Sequence, residues 1–364
     1  MNPPTHRHSE NRLIVCLARQ NPPKNEVESL LAEEIDWKYV LQTAEEHRVI
    51  PLLFQNLKSD FAAAIPQSVL IALQKRQQEN AKLNFGRTAQ LIKLIGELRK
   101  IGVPVLAYKG MALAAVAYND VTLRQFTDVD LLIRKQDFPK VKEAFARINC
   151  RPAWSLTAQQ EKAVLKYYYE YPFFYGEDNT LIEVHWEFVE SFFAFDFDVN
   201  ELWKRAQIIR LYGKPILTLS AEDSLIILCA HGSKHYWRRL SWICDVARLV
   251  ENCEINWSLA LHRAAETGSL RMIYLGLSLA SDLLNAPLPA KIVQTISADF
   301  KVKTLAGNLK SRHFDKETEP KKWLEMAGIH LKMRERTRDK IKYSSRLLAT
   351  KTIDSFLMPM GRPR

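Results

Sequence analysis

No stretch of the 364 residues approaches the ~18 consecutive apolar residues that a membrane span needs. The first dozen residues, MNPPTHRHSENR, lack the apolar core of a secretory leader. Cysteine is scarce: five residues, an odd number without a CxxC pair, suggest reduced thiols in a cytoplasmic protein. Two of them, Cys229 and Cys244, fall in apolar helical patterns and read as core. There is no fixed-period repeat and no low-complexity tract. The 47% hydrophobic and 26% charged composition is that of a soluble folded protein. The length allows two or three domains.

Charge is unevenly placed. The chain carries a net +11, yet residues 301–364 alone hold 17 Lys/Arg against 7 Asp/Glu, leaving the rest nearly neutral. A basic C-terminal segment points to a polyanion such as nucleotide phosphate, RNA or an acidic partner, or to a solvated helix that aids solubility.

Three regions differ in periodicity. Residues 1–100 read as helical, with Asp36 as a cap and Gly102 as a stop after a long helix that starts near Ser68. Residues 101–212 read as an α/β core. Val103–Ala107 is a strand-like run, Tyr108-Lys109-Gly110 a turn and Met111–Ala117 a helix. Thr127–Ile133 is a second strand, and Asp137 caps the helix after it. Two aromatic-rich runs, 167–175 and 180–188, form a hairpin across Gly176–Asn179. Residues 213–364 read as amphipathic helices ending in the basic tail, with Ser220 as a cap. The fold class expected is α+β: a small mixed sheet between helical regions.

The chemistry concentrates in Phe126-Thr-Asp-Val-Asp-Leu-Leu-Ile133. Strand alternation puts Asp128 and Asp130 on one face and Val129 and Leu131 on the other. Two carboxylates that close attract hard divalent cations such as Mg²⁺. In Leu181-Ile-Glu-Val-His-Trp-Glu-Phe188 the same alternation aligns Glu183, His185 and Glu187 opposite Ile182, Val184, Trp186 and Phe188. Glu183 can complete a metal site or act as a base toward an acceptor hydroxyl. His185 can orient a carboxylate or the substrate, or pack at the sheet edge. Gly110 lets backbone N–H groups approach a phosphate at a helix N-terminus, with Lys109 beside it. Arg124 can grip a phosphate oxygen, or, like Lys109, pair with the aspartates.

A second segment runs from His231-Gly-Ser-Lys-His235 through Trp237 and Trp242 to Asp245. The i,i+4 histidines could share a metal, but the glutamate of HExxH is absent. Lys234 or His235 could touch phosphate across the cleft. Trp237, Trp242 and Asp245 equally suit helix packing.

Taken in order, Ala107-Tyr-Lys-Gly-Met-Ala-Leu113, Arg124–Ile133, Ile182-Glu-Val-His-Trp186 and the His231–Asp245 segment resemble a family of uncharacterised bacterial nucleotidyltransferases. That family belongs to the polymerase-β-like superfamily, and the resemblance covers roughly residues 25–350. It implies NTP-dependent transfer of a nucleoside monophosphate with two Mg²⁺ ions. Asp128 and Asp130 match the paired metal ligands, Glu183 the third carboxylate and Gly110 the phosphate-turn glycine. Two departures stand out: Lys109-Gly110-Met111 replaces the superfamily's Gly-Ser, and the interval from Gly110 to Asp128 is long. The acceptor is open: a protein, peptide, sugar, antibiotic or other small molecule, or RNA. The competing expectations are a non-catalytic nucleotide-, RNA- or partner-binding protein on the same fold, and a metal-dependent phosphohydrolase.

Overall fold

The computed structural model describes residues 7–190, 193, 195, 197–314 and 323–357. Among these the chain begins with α1 (Arg7–Ala18), α2 (Lys24–Leu31), α3 (Trp37–Glu46), α4 (Ile50–Leu57) and the 34-residue α5 (Gln67–Lys100). The Asp36 carboxylate accepts from Tyr39 N at the start of α3, as a cap should. Gly102 adopts φ +71° just after α5, the left-handed geometry that ends a helix.

The α/β core follows. It contains β1 (Leu106–Ala107), α6 (Gly110–Ala117), β2 (Asp128–Leu132), α7 (Phe138–Arg147), β3 (Cys150–Pro152), α8 (Ala158–Tyr167), β4 (Glu170–Tyr175), β5 (Thr180–His185), α9 (Val199–Arg205), β6 (Gln207–Leu211) and β7 (Lys214–Thr218). The seven strands form one mixed sheet in the order β3-β4-β5-β2-β1-β7-β6. The β2–β5 and β1–β7 pairs are parallel and the others antiparallel. Then come α10 (Ala221–Lys234), α11 (Leu240–Asn252), α12 (Trp257–Thr267), α13 (Leu270–Leu284), α14 (Ala290–Ala298), α15 (Phe300–Arg312), α16 (Trp323–Lys332) and α17 (Thr337–Leu357). None of the described helices is long and apolar enough to cross a membrane.

Two buried clusters meet at the sheet. Val129, Leu131, Ile182 and Val184 face Leu91, Leu94 and Leu98 of α5 and Phe138, Val141 and Phe145 of α7. The opposite face carries Leu106 and Leu132 into a core shared with α1–α4, α10, α11 and α13. The alternation in β2 therefore sends apolar groups backward and Asp128 and Asp130 toward the N- and C-terminal helices.

Several local expectations change. Only Leu106 and Ala107 of the 103–107 run are paired as strand. Asp137 precedes α7 but its side chain does not cap it, because a 3₁₀ turn over Lys135–Asp137 carries the chain into the helix. The β6–β7 hairpin, with Tyr212 and Gly213 at φ +47° and +76°, lies where the helical region was expected to begin. In the basic tail, Met333 and Arg334 lie buried in the joint between α16 and α17, so helix resumes only at Thr337.

Trp237 explains two glycines. Tyr236 and Trp237 both take left-handed φ values, +58° and +53°, which turns the Trp237 ring back between α10 and α13. A Cβ on Gly232 would lie 2.6 Å from that ring, and one on Gly276 2.6 Å from Cys229 Sγ and 2.8 Å from the ring. Alanine favours a helix over glycine by about 1 kcal/mol, while overpacking costs about 1–3 kcal/mol. Gly232→Ala and Gly276→Ala are each expected to lower urea-unfolding stability by up to about 2 kcal/mol. Unchanged or higher stability would mean that the ring gives way freely.

Candidate active site

The parallel pairing of β2 with β5 sets Asp130 opposite Glu183 and Leu132 opposite His185. The antiparallel pairing of β4 with β5 sets Glu170 opposite His185. Residues directly opposite share a face, so Asp128, Asp130, Glu183, His185 and Glu170 line one side of three adjacent strands. Glu170 escaped the sequence reading. Its signal was present, an acidic residue alternating within the aromatic run 167–175, but its use depends on a pairing that the run alone does not reveal.

His185 is at the centre and fully buried. Its Nε2 lies 3.1 Å from Asp130 Oδ1 and 3.5 Å from Glu183 Oε2, and its Nδ1 lies 3.3 Å from Glu170 Oε2. Lys109 Nζ donates to the same Asp130 oxygen at 3.4 Å. Tyr108 stands edge-on to the imidazole with ring centroids 5.5 Å apart.

These contacts set the protonation states. Burial would lower the His185 pKa, but hydrogen bonds to Asp130 and Glu183 and the charge of Glu170 push it up to about 9. The ring is therefore an imidazolium at neutral pH. Burial would raise Asp130, but Lys109 and His185 hold its carboxyl well below the usual range. Asp128 is pushed up to about 6 by burial and then by the charges of Asp130 and Glu183. Burial likewise lifts Glu170 to about 6, His185 working against it and Glu183 with it.

The site suits a hard cation. Among the described residues, Asp130, Glu183 and His185 form the one group of three or more His, Cys, Asp or Glu side chains whose ligand atoms lie close together, all within 4.8 Å of one another. Two of the three, Asp130 and Glu183, offer carboxylate oxygens, the donors that Mg²⁺ prefers.

The remaining candidates are placed as follows. Gly110 opens α6 with φ +49°, and a Cβ there would meet Asp128 O at 3.5 Å and the Phe126 ring at 3.7 Å. Arg124 turns away from the aspartates: its Nε and Nη2 donate to the two oxygens of Asp245 on α11, at 2.8 and 2.9 Å. Lys234 Nζ pairs with Glu190 at 2.7 Å and sits 4.8 Å from the Tyr169 ring centroid. His235 packs against His231 and Trp242, with centroids 4.7 and 5.2 Å away. Burial, then Lys234 and Lys109, lower the His235 pKa to about 2, so it is a neutral ring.

No curated protein matches the sequence. Among solved structures, the chain is similar to the antibiotic-resistance factor ANT(2″)-Ia in solution, with TM-score 0.33 and 13% identity over 63% of this chain and 99% of that one. The crystal structure of ANT(2″)-Ia in complex with adenylyl-2″-tobramycin gives TM-score 0.31 at 13% identity, again over 63% and 99%. An antigenic nucleotidyltransferase-like protein from Paracoccidioides brasiliensis gives 0.34 at 15% identity, over 57% and 95%. Superpositions that loose transfer no residue roles. Residues 33–285, more than two thirds of the chain, match the family described as uncharacterised nucleotidyltransferase, and the chain belongs to that family.

Proposed function

We propose that the protein is a Mg²⁺-dependent nucleotidyltransferase that moves a nucleoside monophosphate from an NTP to a hydroxyl-bearing acceptor. The observation that carries this reading is the β2–β5 register, which brings Asp130 and Glu183 side by side with Asp128 on the same face. Asp128, Asp130 and Glu183 would hold the metal, two ions in the full reading. When bound, Mg²⁺ offsets the triphosphate charge and the charge that develops on the leaving oxygen.

The chain's own groups do the rest. Glu183, half-buried beside His185, takes the proton from the acceptor hydroxyl. The acceptor oxygen bonds to the α-phosphorus, the bond to the bridging oxygen breaks and pyrophosphate leaves. His185 fixes the orientation of Asp130 and Glu183 and helps to hold Asp130 ionised. The first N–H groups of α6 after Lys109 offer an anion site next to Asp128. Lys234 and His235 serve the nucleotide only indirectly in this reading, since Glu190 and Trp242 already engage them. The cytoplasm, rich in NTP and kind to the five free thiols, is the compartment we assign.

The test is titration of the purified protein with each of the four NTPs, with and without Mg²⁺, beside an Asp128→Asn/Asp130→Asn double variant. Binding that needs Mg²⁺ and vanishes in the variant is expected. Turnover retained by the double variant would overturn the assignment. The second reading, a non-catalytic binder, draws on the excess of Lys/Arg in residues 301–364. It predicts RNA or partner binding that survives loss of both aspartates.

A further inference from the structure

Arg48, Arg87 and Arg239 come from three separate elements and border the segment Phe126–Asp128. Arg87 on α5 donates from Nη1 to Phe126 O at 2.7 Å, and its Nε is buried without a partner. Arg48 occupies the turn between α3 and α4 with a left-handed φ of +56°. That turn is tied down on both sides. Leu240 N donates to His47 Nδ1 at 3.1 Å and Ser241 N to His47 O at 3.2 Å. On the other side Ile50 N donates to Gln125 Oε1 at 3.2 Å. Arg239 immediately precedes α11 at the first of these ties, with its guanidinium 5.4 Å from the Trp242 centroid.

Among the described residues none of these three arginines has a carboxylate within ion-pair distance. Arg19, Arg205, Arg263 and Arg124 all do. A left-handed φ is costly for a side chain as large as arginine, about 1–2 kcal/mol. The ties on either side hold Arg48 there, with Arg239 and Arg87 as like charges and Asp128 as the opposite charge acting on it. Burial and the neighbouring Arg239 lower the Arg48 pKa to about 10, and Asp128 is the opposite charge that works against them.

We infer that Arg48, Arg87 and Arg239 form the clamp for the donor's β- and γ-phosphates, the role that the sequence suggested for Arg124. The inference rests on the nucleotidyl-transfer reading. A triphosphate lying at the start of α6 would have Asp128 beneath it, because Gly110 packs on the Phe126–Asp128 backbone. Arg87 holds that same backbone through Phe126 O, and Gln125, one residue before it, is tied to the turn that carries Arg48. Three planar forks suit terminal phosphate oxygens, which spread their charge over several acceptors. The nucleoside need not touch them.

Inorganic tripolyphosphate is the probe, since it carries the phosphates without a base. Titrations with Mg²⁺ are made on the full chain and on Arg48→Ala, Arg239→Ala and Arg48→Lys, alongside the four nucleoside monophosphates. The expected result is a loss of at least tenfold in tripolyphosphate affinity for each alanine variant. Monophosphate binding should change less than twofold, and the lysine variant should fall between. The lysine variant also covers the case in which an alanine variant does not fold. Absence of tripolyphosphate binding in the unaltered protein, or equal binding by the variants, would overturn the clamp. Tripolyphosphate binding without any NTP turnover would leave the arginine site standing as an anion site and remove the donor reading. Turnover with undiminished affinity in the variants would remove the clamp alone.

Discussion

Asp128→Asn is expected to stabilise the metal-free protein and at the same time to lower nucleotidyl transfer by about 10³-fold or more, the scale on which losing an electrostatic anchor acts. The stability half follows from the titration. An unfolded aspartate titrates near 3.8 and the folded Asp128 near 6, so folding raises its affinity for a proton. A group shifted upward in this way costs nothing at pH 3–4. Its penalty grows as pH rises through the interval and is complete above about 6. Two units correspond to about 3 kcal/mol; Asp128 is half-buried, and solvent screening reduces that to about 1–2 kcal/mol. Urea unfolding in EDTA at pH 7.5 should therefore show Asp128→Asn more stable than the parent, with the gap closing near pH 4. Added Mg²⁺ should restore the parent and leave the variant unmoved. A variant that is less stable at pH 7.5 would mean that Asp128 is held by cations, Lys109 first and Arg48 next, and is not strained by its neighbours.

Asp130→Asn should behave in the opposite sense although it is two residues away. Asp130 is the counter-charge of half-buried Lys109 and buried His185. Removing one partner of a buried pair strands the other and typically costs about 3–5 kcal/mol. Both variants are expected to lose activity, so only the contrast in stability separates a strained carboxylate from an anchored one.

The legibility of the site in the sequence follows the range of the interactions that build it. Asp128, Asp130, Glu183 and His185 were readable because strand alternation is a local rule with a period of two. That Asp130 meets Glu183, and that Glu170 reaches His185, depends on which strands are neighbours and in what register, and no local pattern encodes that. Arg48, Arg87 and Arg239 were invisible for the same reason: a helix-turn residue, a mid-helix residue and a loop residue, each ordinary in its own window. The β6–β7 hairpin was missed for a different reason. Ile208 is 69% exposed, so β6 does not show the apolar alternation that marks a half-buried strand. Arg124 shows the reverse failure. Its nearness in sequence to Asp128 suggested a phosphate ligand, whereas the fold brings Asp245, 121 residues away, to engage two of its nitrogens.

That last pair carries the second large effect. Asp245 is buried on α11 and accepts from Arg124 through both oxygens, and Tyr118 O–H donates to Oδ1 at 2.7 Å. Tyr118 ends α6 and Arg124 lies in the loop that leads into β2, so one carboxylate fastens α6 and β2 to the C-terminal helices. Asp245→Ala leaves a guanidinium with 11% exposure and a buried hydroxyl without an acceptor. The expected loss is about 3–5 kcal/mol in urea unfolding. Arg124→Ala should cost nearly as much, because it strands Asp245 instead. The double variant Arg124→Met/Asp245→Leu removes both charges together and should be distinctly less destabilised than the two single losses added, a coupling of about 1–3 kcal/mol. If instead Arg124 serves the nucleotide directly, Arg124→Ala will lower NTP affinity with little change in stability, and the coupling with Asp245 will be near zero.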